Sequence, residues 1–170
     1  MEEERMQDVD QTQRTAIAAQ LELERRHKSG AHWFFWIAAL SVINSSITLF
    51  GGGWSFIVGL GITQFVDAIA AAAAEEAGSE VGFTVHLIGF VISLVIAGVF
   101  VIFGVLARNR STIAHVIGMV LYALDGLLFL LVGDLLSVAF HAFVFFCLLS
   151  GLKAGRELAR QEAPVPAGSP

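Results

Sequence analysis

Three ionisable side chains, Asp125, Asp134 and His141, lie in one of the most apolar stretches of this chain, "LDGLLFLLVGDLLSVAFHAF" at residues 124–143. A charge at the centre of a bilayer costs about 2.5–3.5 kcal/mol or more, so ionisable residues in membrane helices face inward and pair. An aspartate beside a histidine can share a proton, bind a cation, or join two helices through one hydrogen bond. The sequence leaves both the functional and the purely structural role of such a pair open.

Asp125 and His141 are expected at the same depth on two neighbouring helices. Each lies seven or eight residues, hence roughly 10–12 Å, from the Gly133–Asp134 turn that joins those helices. Tyr122 lies one helical turn from Asp125 and is expected to donate a hydrogen bond to its carboxylate. Asp67 belongs to the same half of the membrane, because it lies near the outer end of its own apolar segment. We therefore predict an ion- or proton-pairing site formed by Asp67, Tyr122, Asp125 and His141.

A metal site is a second interpretation of the same layer, with His86, Asp134 and His141 as ligands. Two histidines are fewer than tight zinc sites use, and the sequence has no HExxH spacing. The single cysteine, Cys147, excludes an intrachain disulfide and a CxxC motif. We therefore expect no cofactor, although the metal alternative stays open.

The composition is that of a membrane protein. Hydrophobic residues make up 56% of the 170 residues, the mean hydropathy is +0.74, and only 15% of the residues are charged. A soluble domain carries about 25% charged residues. The net charge of −5 leaves no basic surface for nucleic acid. The expected partners are the lipid bilayer and either further copies of the chain or another membrane protein.

The pattern of apolar residues predicts helices throughout. A polar helix is expected over residues 11–28, ending at Ser29–Gly30, and residues 1–10 are expected to be loose. Ser111 and Asp134 are expected as helix N-caps. The "GLKAG" stretch that begins at Gly151 is a weak signal for a helix dimer. Five apolar segments follow the polar helix, at residues 32–50 (A), 54–74 (B), 83–107 (C), 112–133 (D) and 135–152 (E).

Two surfaces within these segments are expected to make contacts between helices. Gly89, Ser93 and Ala97 place small residues on one face of segment C, which favours close helix packing. The polar run Asn44–Ser46 is expected to bond across helices or to mark a kink. Segments D and E together would span about 60 Å, twice the hydrocarbon thickness, so they must form a hairpin.

The positive-inside rule decides how many segments cross. Lys and Arg near the segment ends fall in three groups, and the other connections contain none. Four crossings place all three groups on one side, whereas five crossings split them, so the rule favours four. Segment B, with Thr63, Gln64 and Asp67, is the weakest and is expected to be partial or re-entrant. The predicted fold is an all-α polytopic membrane helix bundle with four full crossings plus this helix, the alternative being five crossings. The three basic groups are Arg25–Lys28, Arg108–Arg110 and Lys153–Arg160.

This organisation predicts three parts. Residues 1–31 form a cytoplasmic N-terminal segment with a juxtamembrane helix, residues 32–152 the transmembrane domain, and residues 153–170 a cytoplasmic disordered tail. The stretches "FIVGLGITQFVDAIA" and "LDGLLFLLVGDLLSVAFHAF", followed by "GLKA", resemble segments of small uncharacterised multi-pass membrane proteins of bacteria. The resemblance covers residues 33–155 and implies a bacterial inner membrane. It implies no particular activity.

Three functions are compatible with these observations. The first is a non-enzymatic helical component that assembles with itself or binds a partner. The second is a conductor of ions, protons or small solutes that uses the Asp/His cluster. The third is an intramembrane metal-dependent hydrolase. The sequence favours them in that order, and therefore favours a protein that is not an enzyme.

Overall fold

The computed structural model of the protein describes residues 1–52, 59–78 and 81–163, apart from the side chain of Glu4. Four of the helices in these ranges, α1, α3, α4 and α5, are long and apolar enough to cross a membrane, and α2 is shorter. The predicted all-α membrane bundle of four long helices plus one partial helix is confirmed. The helices are α1 (Glu2–Leu49), α2 (Gly61–Ala77), α3 (Gly82–Arg108), α4 (Thr112–Leu131) and α5 (Leu135–Glu162).

The bundle has two distinct ends. We call the end at which α3 finishes and α4 begins the basic end, because Arg108 and Arg110 lie there. The opposite end, at Phe50, Gly78 and Gly133, is the far end. The polar half of α1 and the last turns of α5 extend from the basic end.

Helix α1 is continuous over 48 residues, so it is about 72 Å long. The prediction that residues 1–10 are loose is wrong, and so is the prediction that the polar helix ends at Ser29–Gly30. Gly30 lies where α1 crosses α5, and a Cβ atom at Gly30 would lie 2.5 Å from the Cα atom of Gly151. The two glycines therefore permit a close helix crossing within one chain, which explains why neither ends a helix.

Helix α2 begins inside the bundle and ends at the far end. Its 17 residues span about 25 Å, less than the hydrocarbon thickness of about 30 Å. The backbone N–H of Leu60 donates to Ser41 Oγ at 2.8 Å, and Ser41 lies about 12 Å before the end of α1. At its other end α2 packs through Ala74 against Gly82, the first residue of α3.

Helix α2 therefore starts inside the bundle and ends at the far end, which is also the end at which α1 finishes. This is the re-entrant form of the prediction, and the alternative of five full crossings is not what the structure shows. The first residues of predicted segment B, 54–58, lie outside the described ranges.

Short capped turns connect α3, α4 and α5. Ser111 Oγ accepts the N–H of Ala114 at 3.3 Å, and Asp134 Oδ1 accepts the N–H of Ser137 at 3.1 Å. Both predicted N-caps are confirmed, as is the hairpin of α4 and α5. Gly133 supplies the turn with a φ of 75°, a conformation that favours glycine.

Helix α5 continues beyond the predicted transmembrane domain to Glu162. Residues 153–162, assigned from the sequence to a disordered tail, are therefore helical. Leu158 is 1% exposed, and Gly155 packs against the ring of His27 on α1. Contact with the polar half of α1 thus stabilises these last turns. Residues 164–170 lie outside the described ranges.

The small-residue face of α3 is buried, as predicted. Gly89, Ser93 and Ala97 are buried, and a Cβ atom at Gly89 would lie 2.5 Å from the Cβ atom of Ala70 on α2. The other side of α3 carries large apolar side chains that are exposed; Val95, for example, is 64% exposed. Such a surface suits lipid contact and not water.

Candidate functional site

The N-terminus of α2 lies inside the bundle and is capped by a carboxylate from another helix. Asp125 on α4 accepts the N–H of Gly61 at 2.7 Å through Oδ2 and the N–H of Ile62 at 2.9 Å through Oδ1. The first N–H groups of any helix lack partners within that helix, and hydrocarbon offers no water to replace them. The carboxylate therefore satisfies two backbone donors and also faces the positive end of the helix dipole.

Glycine at the first position of α2 permits this close contact. A Cβ atom at Gly61 would lie 2.8 Å from a ring carbon of Phe129 and 3.3 Å from the backbone oxygen of Asp125. A larger residue would therefore push α2 away from α4 and lengthen the two hydrogen bonds. The sequence analysis assigns no role to Gly61; the Gly59-Leu60-Gly61 sequence is the signal that could have indicated a close backbone contact.

Asp125 also contacts His141 on α5, so one carboxylate joins three helices. His141 Nε2 lies 3.1 Å from Asp125 Oδ2, and each side chain is 5% exposed. The other ring nitrogen, Nδ1, lies 2.9 Å from the backbone oxygen of Ser137. Gly126 leaves room for the imidazole, since a Cβ atom there would lie 3.1 Å from His141. The structure thus brings together the two side chains whose depths match in the sequence.

Both ring nitrogens of His141 face an oxygen atom of a neighbouring group. The Ser137 carbonyl can only accept, so Nδ1 carries a hydrogen. Nε2 then faces a carboxylate oxygen, and a hydrogen bond between them needs a proton on Nε2 or on Oδ2. The contact is therefore one through which a proton can pass between the imidazole and the carboxyl group.

Tyr122 adopts a different role from the predicted one. Its ring stacks on the His141 ring with centroids 4.5 Å apart and an interplanar angle of 13°. Its hydroxyl has no hydrogen-bond partner within the described residues, so the predicted bond to Asp125 is not formed. The Tyr122 ring therefore packs on His141 of α5 and does not bond to Asp125, although Tyr122 and Asp125 are one turn apart on α4.

Asp67 forms a separate polar cluster. Its carboxylate accepts hydrogen bonds from Ser45 Oγ on α1 at 2.6 Å and from Ser93 Oγ on α3 at 3.0 Å. Asp67 lies about 9 Å beyond Gly61 along α2 and faces α1 and α3. It is therefore not part of the Asp125–His141 contact, contrary to the single set predicted. The expectation that the Asn44–Ser46 run bonds across helices is met by Ser45.

The described residues do not assemble a metal site from His86, Asp134 and His141. No group of three or more His, Cys, Asp or Glu side chains in the described ranges could hold a metal ion. Asp134 is occupied in capping α5, and both ring nitrogens of His141 have partners. His86 is half-buried near the start of α3.

Comparisons with family models, with curated proteins and with solved structures give no match to this chain.

Proposed function

We propose that the protein is a non-enzymatic membrane component that presents a helical surface to a partner, either a second copy of itself or another membrane protein. The observation that carries this proposal is the use of Asp125: both of its oxygens bind α2, and Oδ2 also faces His141. Asp67 is used in the same way, to join α1, α2 and α3. These carboxylates hold the bundle together and leave its lipid-facing surface apolar.

A groove between α3 and α4 is the surface that suits a partner helix. It has a volume of about 400 Å³ and is lined by apolar side chains that include Val99, Leu121 and Leu124. Leu124 is 55% exposed. An apolar groove of this kind accepts the side chains of a neighbouring membrane helix, since close packing drives helix association in lipid.

Disulfide cross-linking tests this proposal. Cys147 is the only native cysteine, so Cys147→Ser gives a background on which Leu124→Cys can be added. In vesicles, the Leu124→Cys protein is expected to form a covalent dimer or a covalent adduct with a co-expressed membrane protein. Ile113→Cys, which is 74% exposed near the basic end and outside the groove, serves as the control. Equal cross-linking at both positions, or none at either, would contradict the proposal.

A second candidate function is proton conduction, favoured by the buried contact between His141 Nε2 and Asp125 Oδ2, which are 3.1 Å apart. The Tyr122 ring stacks on the same imidazole, and its hydroxyl, which has no hydrogen-bond partner among the described residues, could continue a proton path. Proteoliposomes with an enclosed pH-sensitive dye test this candidate. Tyr122→Phe removes only the hydroxyl, so loss of flux in this variant with unchanged stability would favour conduction. Absence of flux above empty vesicles would exclude it.

We further propose that the protein resides in a bacterial inner membrane with both termini in the cytoplasm. The support is the distribution of charge: Arg108, Arg110 and Lys153 all lie at the basic end, where positive residues face the cytoplasm. Reporter fusions at Gly52 and Gly78 are expected to read as periplasmic and a C-terminal fusion as cytoplasmic. A cytoplasmic signal at Gly52 would contradict this orientation.

A further inference from the structure

Two buried histidines at the basic end each bind α5 through one ring nitrogen. His27 on α1 is 5% exposed, and its Nδ1 lies 3.2 Å from the backbone oxygen of Gly151. His115 on α4 is 1% exposed, and its Nε2 lies 2.9 Å from the backbone oxygen of Leu148. Because a carbonyl can only accept, both of these nitrogens carry hydrogen.

The second nitrogen of each ring is an unused acceptor. His27 Nε2 and His115 Nδ1 are buried and have no hydrogen-bond partner within the described residues. Leaving a buried polar atom unsatisfied is unfavourable, so native structures supply a partner in most cases. Both histidines line one small cavity, together with Ser111 and Thr112 at the start of α4.

The size and geometry of this cavity fit one water molecule. Its volume is about 10 Å³, close to what a single water requires. The centroids of the two imidazole rings are 6.4 Å apart. Two ordinary hydrogen bonds from one bridging water place ring centroids about 6 Å apart, whereas a direct N–H···N bond places them about 5 Å apart. A water has two hydrogens to donate, one for each unused nitrogen.

The groups that line the cavity favour water over a metal cation. Arg110 also lines the cavity, and the positive charge of Arg156 acts on His115. Arg110 is paired with Glu24, 3.9 Å away, and with Glu162, so its charge is partly offset. A divalent ion would find only two ligands here, because no other described residue that lines the cavity is His, Cys, Asp or Glu. Protonation of both rings would place two like charges on either side of one water, so we expect only one added proton.

We propose that His27 and His115, bridged by one water, form a proton-accepting site at the basic end of the bundle. When a proton arrives, one imidazole donates from both of its nitrogens: one to the α5 carbonyl and one to the water. The water then donates to the other imidazole, so every polar atom keeps a partner. The site is independent of the proposed partner surface, and it lies about 15 Å along α4 from Asp125.

Nitrogen NMR of the histidine-labelled, full-length protein in lipid nanodiscs tests the proposal. In the wild type at alkaline pH, we expect hydrogen on Nδ1 of His27 and on Nε2 of His115, with the other two nitrogens hydrogen-bonded and unprotonated. On acidification, within the range where the bundle stays folded, only one of the two rings should gain a proton. The opposite tautomers, proton uptake by both rings or by neither, or signals of metal-bound nitrogen would overturn the proposal.

A matched variant separates the bridge from the bond to α5. In His115→Gln, the side-chain amide can still donate to the Leu148 carbonyl, whereas the acceptor facing the water is lost. The Nε2 signal of His27 is then expected to move, because its bridging partner has changed. His32→Asn, at an exposed position on α1, is the control and should leave that signal in place. An unchanged His27 signal in His115→Gln would also overturn the proposal.

Discussion

Replacing Asp125 by alanine should destabilise the bundle more than any other single change at a helix cap. The substitution removes the acceptor for the N–H groups of Gly61 and Ile62 and the partner of His141. A buried N–H without a partner costs about 1–3 kcal/mol, and the substitution leaves two of them in addition to the His141 ring. Because these costs overlap, we expect a loss of about 3–5 kcal/mol in the free energy of unfolding. Asp125→Asn keeps one acceptor oxygen and should lose about half as much.

Asp134→Ala is the matched control for this prediction. Asp134 also caps a helix with its carboxylate, but it is exposed, so water can replace the lost hydrogen bonds. Unfolding measured by steric trapping in bicelles should show a clearly smaller loss for Asp134→Ala. Amide hydrogen exchange should show faster exchange at Gly61 and Ile62 only in the Asp125 variants. Equal losses for Asp125→Ala and Asp134→Ala would refute the reasoning that burial makes the cap of α2 important.

Three further predictions use the same unfolding assay. Gly30→Ala inserts a Cβ atom 2.5 Å from a backbone atom of α5 and should cost about 1–3 kcal/mol. In Gly98→Ala the added Cβ atom meets no atom of another helix within 4 Å in the described part of the chain, so this substitution should not destabilise. Ser45→Ala removes a donor to a buried carboxylate and should cost about 1–2 kcal/mol, and Ser46→Ala, which loses only a bond to its own helix, should cost less. Hydrogen bonds from the next turn of α5 hold the pKa of Asp134 below its ordinary value of 3.8. The contribution of Asp134 to stability is therefore complete above about pH 4 and falls as the pH drops through the lowered pKa. The free energy of unfolding of Asp134→Asn should approach that of the wild type only in acid.

Local patterns in the sequence predict the long helices and their caps well. Apolar length fixes α3, α4 and α5, and the side chains of Ser111 and Asp134 act within one turn of themselves. The matched depths of Asp125 and His141 also follow from the sequence, because a two-residue turn leaves little freedom between antiparallel helices. The partial nature of segment B follows from charge bias, which depends only on where Lys and Arg lie.

Features that depend on contacts between distant residues could not be predicted in this way. Gly30 is a helix-ending signal when taken alone, and only its contact with Gly151 shows that it permits a helix crossing. The partner of Asp125 at the start of α2 is a pair of backbone N–H groups, which carry no side-chain signature. The sequence places His27 in a polar juxtamembrane helix. Nothing in the sequence shows that α5 continues far enough to bury the His27 side chain.

The unbroken length of α1 has a mechanical consequence. From Glu2 to Ser41 the helix extends about 60 Å without a hinge, and Ser41 receives the N–H that immediately precedes α2. A tilt or rotation of α1 as a whole is therefore expected to move Ser41 and, through this hydrogen bond, the start of α2. Forces that act on the polar half of α1, beyond the basic end, would in this way affect the position of α2, which ends at the far end.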